Sequence, residues 1–249
     1  MDGVLSQEEI NALLNNNDAA DSSDEILTES EKDAIGEIAN ISMGTAATTL
    51  FSLVNRRVEI STPVVSFSNW DKIVDEYEKP CVFIKIGYTQ GLNGSNILVL
   101  KEKDVKIITD LMMGGDGTNI NGEIGELHLS AISEAMNQMM GSSATSLSSM
   151  LNRTIDISPP IAEVVDLKNT LNEGEIDSFL SEEFVKISFH MEIGDLVDSE
   201  IMQLYPPAFV KEMCKGVSQN MELDTQSVTE DVPQSSNTAT QAAPIQQPQ

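Results

Sequence analysis

The chain has 249 residues, 40% of them hydrophobic and only 4% aromatic, so it can form one sizeable core or two smaller fused units built mainly on aliphatic side chains. Its formal net charge of −26 argues against nucleic acid or anionic membrane as a partner, because both bind cationic surfaces. A membrane span and a signal peptide are not apparent, and Cys81 and Cys214 lack metal-ligand spacing, so we expect a cytoplasmic protein, with a disulfide between them left open.

The first 25 residues divide into a short amphipathic segment and a polar linker. Residues 1–14 contain a capping box at Ser6 and Glu9, followed by an apolar stripe. The stripe consists of Ile10, Leu13 and Leu14. A helix this short is marginal alone, and residues 15–25 are Asn, Asp, Ala, Ser and Glu. We therefore predict a segment that docks on a partner through a flexible linker, with a frayed terminus as the alternative.

An internal repeat occupies the middle of the chain. A shift of 97 residues aligns residues 37–63 with residues 134–160, and twelve of these 27 positions are identical, more than composition explains. The identical pairs are Glu37 and Glu134, Asn40 and Asn137, Met43 and Met140, Gly44 and Gly141, Ala47 and Ala144, Thr48 and Thr145, Leu50 and Leu147, Asn55 and Asn152, Arg56 and Arg153, Ile60 and Ile157, Ser61 and Ser158, and Pro63 and Pro160.

The first repeat, about residues 28–117, predicts a long helix, a strand, a hairpin and a shorter helix. The long helix starts after Thr28, which forms a capping box with Glu31, and runs to about Val54. The later elements are a strand near 58–65, a hairpin over 82–100 that turns at Asn93 and Gly94, and a helix that ends at Gly114 and Gly115.

The second repeat, about residues 121–217, predicts the same series of elements. They are a long helix over about 126–151, a strand near 155–165, a hairpin over 185–204 with its turn at Gly194 and Asp195, and a helix that opens at Pro206 and Pro207 and ends at Gly216. Residues 218–249 are polar and contain no Lys or Arg, so we predict a disordered tail or linker.

Neither repeat can cover its own apolar face and sheet edges. We therefore predict one α+β domain over residues 26–217, in which two repeats related by an approximate twofold axis form a shared antiparallel sheet with helices packed on it.

Each long helix carries a glutamate, an asparagine and a glycine on one face. Glu37 and Asn40 are three residues apart and Gly44 follows four residues later, a spacing that places them on the same side of a helix. The second repeat has Glu134, Asn137 and Gly141 in the same arrangement. The missing side chain of each glycine lets a partner's backbone approach closely. A solvated helix face explains one such pair, but it does not explain two pairs at one fixed distance from a proline.

The full pattern is Asp or Ser, three residues, Glu, two residues, Asn, 22 residues and Pro. It is met by Asp33, Glu37, Asn40 and Pro63, and again by Ser130, Glu134, Asn137 and Pro160. This pattern resembles the signature of the CheC/CheX/FliY family of chemotaxis phosphatases. Residues 5–14, with Leu5, Ile10, Leu13 and Leu14 as apolar contacts, resemble the N-terminal peptide that binds phosphorylated CheY in the FliM and FliY families.

The resemblance implies a phosphatase that acts on the aspartyl phosphate of phosphorylated CheY. Asn40 and Asn137 would orient the attacking water, and Glu37 and Glu134 would bind a lysine of the regulator. Neither glutamate is assigned as a general base. The protein would need no cofactor of its own, because the Mg²⁺ belongs to the regulator. Further implied partners are FliM, FliN and FliG at the cytoplasmic C-ring of the flagellar basal body. The FliY family normally carries a FliN-like domain as well, and residues 218–249 lie where the linker to such a domain would be.

Other polar residues predict less specific roles. Asp33 and Ser130 suit the helix surface, and Pro63 and Pro160 suit shaping of the following strand rather than contact with substrate. His128 and His190 are isolated, so we assign no metal site. Residues 114–117, Gly-Gly-Asp-Gly, lack the lysine of a phosphate-binding loop and predict a helix end.

Two other functions are compatible with parts of the sequence. The first is a flagellar switch or adaptor protein without catalysis, which captures phosphorylated CheY through residues 5–14. FliM proteins resemble this fold but lack the paired Glu and Asn, so the presence of these pairs discriminates between the two functions. The second is a plain acidic interaction domain, which explains neither the repeated pattern nor the leading segment.

Overall fold

The structure is a computed structural model that describes residues 26–76, 80–167 and 176–217. The predicted docking segment 1–14, the linker 15–25 and the tail 218–249 lie outside the described residues. Within the described part, helices long and apolar enough to cross a bilayer are absent.

The described elements follow the repeat. The first half contains α1 Glu29–Val54, β1 Val58–Ile60, β2 Val64–Ser68, α2 Trp70–Glu76, β3 Cys81–Gln90, β4 Gly94–Lys101 and α3 Glu102–Met112. The second half contains α4 Glu126–Leu151, β5 Asp156–Ile157, β6 Ile161–Val165, a 3-10 helix Ser178–Ser181, β7 Phe184–Ile193, β8 Val197–Tyr205 and α5, residues 207–217. Both long helices and both hairpins are confirmed.

The ends of the two long helices follow local backbone chemistry. The Thr28 hydroxyl accepts a hydrogen bond from the Glu31 N–H at 3.2 Å, and the Glu31 carboxylate accepts one from the Thr28 N–H at 2.9 Å, which confirms the capping box. Helix α1 ends at Asn55 and α4 ends at Asn152, both in the left-handed region with φ of 48° and 47°. Asparagine adopts this conformation more readily than other residues with side chains, which accounts for its identity in the two repeats.

Several predicted details are wrong. The single strand predicted after each long helix is two strands, separated by the segments 61–63 and 158–160 that contain the motif prolines. In the first hairpin the turn covers residues 91–93, and positive φ values occur at Gly91 (80°) and at Gly94 (149°), which is the first residue of β4. Helix α5 includes Gly216 rather than ending there. Helix α2 was not predicted, because its seven residues are too few to establish a helical period.

The sheet is built by an exchange of strands between the repeats. In the described part it has eight antiparallel strands in the order β1-β7-β8-β4-β3-β5, with β2 also paired to β7 and β6 also paired to β3. The strands β1 and β2 of the first repeat therefore extend the hairpin of the second, and β5 and β6 extend the hairpin of the first. The two hairpins join where β4 pairs with β8. Each repeat thus depends on the other to cover its sheet edge.

The two faces of the sheet carry different layers. Helices α1 and α4 pack together on one face, over side chains such as Ile84 and Ile187. Their contact includes a hydrogen bond of 2.5 Å between the hydroxyls of Thr49 and Ser142. The other face carries a smaller cluster in which Trp70 of α2 meets Phe83 edge to face at 6.0 Å. The large helical layer is therefore the one that positions the repeated Glu and Asn residues.

Candidate functional site

The first Glu–Asn pair lies in an open cleft between the N-terminal half of α1 and the segment that connects β1 to β2. The cleft has a volume of about 470 Å³, and its walls include Asp33, Glu37, Asn40, Pro63 and Val65. Both Glu37 and Asn40 are exposed. The structure therefore brings together the residues that the repeated pattern singled out, and it leaves the two polar side chains accessible to a partner.

The second pair lies in an equivalent cleft of about 500 Å³ between α4 and the segment that connects β5 to β6. Its walls include Ser130, Glu134, Asn137, Pro160 and Ala162. Glu134 is exposed and Asn137 is partly exposed. The two clefts are thus built from the same positions of the two repeats.

The motif prolines form part of the clefts. Pro63 and Pro160 interrupt the strands as a proline does, since it has no N–H for a ladder hydrogen bond. They also line the wall that faces the Glu and Asn residues. The prediction that they shape the strand is confirmed, but they also bound the space that a ligand would enter. The equal spacing from Asn to Pro in the two repeats therefore brings both residues to the walls of one cleft in each repeat.

One serine in each repeat holds the proline segment of that repeat in place. These two serines were assigned no role from the sequence. The Ser61 hydroxyl accepts a hydrogen bond from the His190 N–H at 3.0 Å, and the Ser61 N–H donates to the His190 carbonyl at 2.9 Å. Ser158 repeats this with Gly87, at 3.1 Å and 2.8 Å. Each serine thereby fastens one wall of a cleft to the hairpin of the other repeat. The identity of the two serines in the repeat was the available signal.

Both clefts are acidic. The first contains Glu29, Asp33 and Glu37, while Lys32 pairs with Glu29 and lies 5.2 Å from the centre of the Phe67 ring. The second contains Glu126 and Glu134, and Leu129 stands at the position of Lys32. Clefts of this charge suit a cationic group of a partner, such as a lysine ammonium.

The residues one helical turn after the two glutamates also differ between the repeats. Gln138 lies one turn after Glu134 and donates a hydrogen bond of 2.7 Å from its Nε2 to the Glu134 carboxylate. At the corresponding position of the first repeat, Ile41 lies one turn after Glu37 and is 45% exposed. An isoleucine offers no hydrogen bond, so the two carboxylates are held differently.

The two repeat glycines face open space. A Cβ atom placed on Gly44 or on Gly141 meets no heavy atom of the described chain within 4 Å. Internal packing therefore does not require a glycine at either position, although a glycine weakens a helix interior by roughly 0.5–1 kcal/mol relative to alanine. The predicted role in the approach of a partner remains a prediction, and the open space is compatible with it.

Other candidates do not form a catalytic or metal centre. The His128 Nδ1 accepts a hydrogen bond from the Gly125 N–H at the start of α4, and the His190 ring contacts Glu192 at 3.0 Å. The described residues contain no group of three His, Cys, Asp or Glu side chains that could hold a metal. Residues 114–117 form the turn that ends α3. A larger cavity of about 830 Å³, which lies near Lys101 and Lys186, contains neither Glu–Asn pair.

Two segments of the chain match a known protein family. Residues 31–67 and 127–164 match the CheC-like family, and each matched range contains one complete Glu–Asn–Pro set. The chain is 47% identical over 218 residues to the flagellar motor switch phosphatase FliY of Bacillus subtilis strain 168, across 86% of this chain and 57% of that protein. It is 24% identical over 143 residues to the CheY-P phosphatase CheC of the same organism, across 55% of this chain and 67% of that protein.

A solved structure extends the comparison to the fold. The crystal structure of Thermotoga maritima FliY superimposes with a TM-score of 0.72 at 40% sequence identity, and the match covers 78% of this chain and 99% of that one. The predicted α+β fold with two repeats is thereby confirmed. The chain spans little more than half of the length of the B. subtilis FliY that it matches.

Proposed function

The chain belongs to the CheC-like family, and from that membership we propose that it hydrolyses the aspartyl phosphate of a phosphorylated CheY-type response regulator at the flagellar motor switch. One observation carries the proposal: the same Glu, Asn and Pro positions line two equivalent open clefts. An adaptor needs neither accessible asparagines nor their duplication.

The asparagines suit the positioning of a water molecule. Hydrolysis requires the water oxygen to attack phosphorus in line with the bond from phosphorus to the aspartate oxygen, which breaks and leaves aspartate and inorganic phosphate. A carboxamide both donates and accepts hydrogen bonds, so Asn40 or Asn137 can hold such a water without a change in protonation. Because both residues lie on helices, the backbone keeps the amide at a fixed distance from the docked regulator.

The glutamates suit the alignment of the regulator. Glu37 and Glu134 lie one helical turn before the asparagines, in acidic clefts where each can pair with a lysine. An exposed ion pair contributes at most about 1 kcal/mol, but a pair covered by the docked regulator contributes more. Neither glutamate needs to take up a proton in this mechanism.

The remaining components would come from the partners. The divalent metal that neutralises the phosphoryl oxygens would be Mg²⁺ bound by the regulator, so the phosphatase needs no cofactor of its own. Residues 1–14 would capture phosphorylated CheY. The name of the B. subtilis relative supports a location at the motor switch. We propose FliM, FliN and FliG as neighbours there, on the cytoplasmic side of the membrane.

The proposal is tested by the loss of phosphate from phosphorylated CheY, with wild-type protein, Asn40→Ala, Asn137→Ala and the double variant. Each single variant keeps part of the activity, because the other cleft remains. The double variant loses most of it, equivalent to an increase in the barrier of about 2–4 kcal/mol. Unchanged hydrolysis in the double variant would sink the proposal and leave the adaptor function.

Deletion of residues 1–14 separates capture from chemistry. The deletion raises the concentration of phosphorylated CheY needed for half-maximal rate, and the rate at saturation stays the same. A fall in the saturating rate would place residues 1–14 in the catalytic step instead.

A further inference from the structure

We infer that the two clefts bind the regulator with unequal affinity, and that position 41 in the first repeat and position 138 in the second determine the difference. The first cleft binds more tightly, because Ile41 extends its contact surface with apolar side chain, whereas Gln138 keeps the second surface polar. The inference rests on the proposed function, since it concerns the partner of the same clefts.

Ile41 belongs to the face of α1 that carries the catalytic residues. At 3.6 residues per turn it lies about 40° around the helix axis from Glu37, and about 100° from Asn40. It is 45% exposed, although isoleucine is among the side chains most often buried. A regulator that contacts Glu37 closely must cover Ile41, which is the neighbour of Glu37 on the next turn.

A second exposed apolar side chain extends the same face. Phe51 is 47% exposed and lies about 20° around the axis and about 16 Å along the helix from Asn40. A standard protein interface covers about 800 Å² on each partner, equivalent to a disc of about 16 Å radius. Phe51 therefore falls at the edge of the surface that a regulator centred on Asn40 would cover.

A shallow groove lies beside Phe51. It has a volume of about 490 Å³ and runs between α1 and β1, with Gly44, Phe51 and Ile60 among its walls. Gly44 in this groove lies about one helical turn after Asn40, which lines the first cleft, so the groove opens next to that cleft along α1. The occupant we assign to it is therefore the regulator itself, docked with its phosphorylated aspartate at Asn40.

The second repeat is polar at the equivalent positions. Gln138 replaces Ile41, and its amide is already bonded to Glu134 at 2.7 Å. Ser148 replaces Phe51, and its hydroxyl donates to the Ala144 carbonyl at 2.8 Å and accepts from the Ile155 N–H at 2.9 Å. A regulator docked there must cover a polar amide, and its lysine must share the Glu134 carboxylate with Gln138.

The size of each effect decides which cleft binds more tightly. Complete burial of an isoleucine changes a dissociation constant by about 10- to 100-fold, so covering the exposed 45% of Ile41 changes it by about three- to tenfold. The bond from Gln138 also holds Glu134 in place before binding, which favours the second cleft by about twofold. The apolar contact is the larger effect.

The other exposed apolar residues near the clefts do not reverse this order. Val64 and Ile161 occupy the same position in the two repeats and are 66% and 68% exposed, so their contributions cancel. Leu127 is 65% exposed near the start of α4 and lies about 15 Å along the axis from Asn137, at the edge of the covered surface as Phe51 does in the first repeat. These two edge contributions offset each other, and the difference between Ile41 and Gln138 at the centre remains.

The test uses full-length protein with one cleft inactivated at a time. Asn137→Ala leaves the first cleft, and Asn40→Ala leaves the second. The KM for phosphorylated CheY is then measured in each background, with Ile41→Gln added to the first and Gln138→Ile added to the second. These exchanges place each residue in the other cleft.

The expected KM of the first cleft is about three- to tenfold lower than that of the second. Ile41→Gln raises the KM of the first cleft by a similar factor, Gln138→Ile lowers that of the second, and kcat changes in neither. The thermal midpoint of each variant stays within about 2 °C of its parent, because the substituted side chains are exposed. Met113→Gln, which changes another residue that is 51% exposed but distant from both clefts, leaves KM unchanged.

An Ile41→Gln variant with unchanged KM, or with a lower kcat at the same KM, overturns the inference. Failure of the proposed function looks different, because then no variant accelerates phosphate loss. In that case titration with CheY activated by beryllofluoride, an analogue of the acyl phosphate, measures binding alone. Weaker binding to Ile41→Gln than to wild type would preserve the docking surface without the catalysis, and equal binding would remove both.

Discussion

The Ser158 hydroxyl accepts a hydrogen bond of 3.1 Å from the backbone N–H of Gly87, a residue on the hairpin of the other repeat. A Cβ atom on Gly87 would lie 3.0 Å from this hydroxyl, so the glycine gives the serine its room. The bond fastens the segment that contains Pro160, one wall of the second cleft, to a strand whose position the first repeat determines. The shape of each cleft thus depends on both repeats.

Substitution of Ser158 tests this dependence. Ser158→Ala leaves the Gly87 N–H without its acceptor, and we expect the free energy of unfolding to fall by about 1–2 kcal/mol, as measured by urea denaturation. The rate of phosphate loss through the second cleft falls more than that through the first, because only the wall at Pro160 is released. Ser149→Ala, an exposed serine of α4, serves as the control and stays within about 0.5 kcal/mol of wild type. Equal effects on the two clefts would show that the serine acts only on global stability.

Substitutions at Gly44 test stability and partner binding separately. Gly44→Ala adds a side chain in open space on a helix, so the free energy of unfolding rises by about 0.5–1 kcal/mol. Gly44→Gln keeps the fold but occupies the space needed by the regulator, so its KM in the Asn137→Ala background rises. Gly141→Gln in that background leaves KM as it was, since Gly141 belongs to the other cleft. A normal KM for Gly44→Gln would remove the role of the glycine in docking.

Asp177 makes part of the stability depend on pH. Burial of its carboxyl favours the neutral form, but the hydrogen bonds from Lys85 at 2.8 Å and Ser95 at 2.9 Å outweigh burial and lower the Asp177 pKa. A lowered folded pKa gives stability that is fully present above the unfolded value of about 3.9 and is lost as pH falls through the folded pKa.

The Asp177→Asn variant measures this contribution. We expect it to be less stable than wild type by about 1 kcal/mol at pH 7 in urea denaturation. The loss is not larger, because Lys85 is partly exposed and solvent weakens its interaction with Asp177. The difference narrows as the pH is lowered below about 4. Asp71→Asn, an exposed residue of α2, is the matched control with little change. A difference between wild type and Asp177→Asn that is constant from pH 7 to pH 3 contradicts the assignment.

The two thiols are predicted to be unreactive in the folded protein. Cys81 and Cys214 are buried in clusters on opposite faces of the sheet, so the two do not form the disulfide that the sequence left open. Burial raises the pKa of each thiol to about 11, so roughly 0.1% is thiolate at pH 8. Iodoacetamide therefore modifies the folded protein slowly at pH 8 and modifies both thiols rapidly in 6 M guanidinium. Rapid modification of the folded protein would contradict their burial.

The long helices were predictable because their signals are local. Thr28 and Glu31 form the capping box that their spacing indicates, and the buried positions of α1, such as Ile35 and Leu50, follow the helical period. The glutamate and asparagine pairs were found for the same reason, since residues three apart on a helix share a face whatever the helix packs against. That these pairs line clefts together with Pro63 and Pro160 depends on the tertiary structure. In the sequence, only the repeated distance from each asparagine to its proline suggested it.

The sequence by itself determined that two equivalent units form one domain, that each carries a Glu–Asn pair on a helix, and which family the pattern resembles. These features could be read because the repeat, the helix caps and the motif spacing depend only on the order of residues along the chain. Only the tertiary structure decided that the units exchange their edge strands, that Ser61 and Ser158 fasten each proline wall to the opposite hairpin, and that Ile41 stays exposed beside the first cleft. The physical reason is that strand pairing and exposure depend on contacts between residues far apart in the chain, on which local periodicity carries no information.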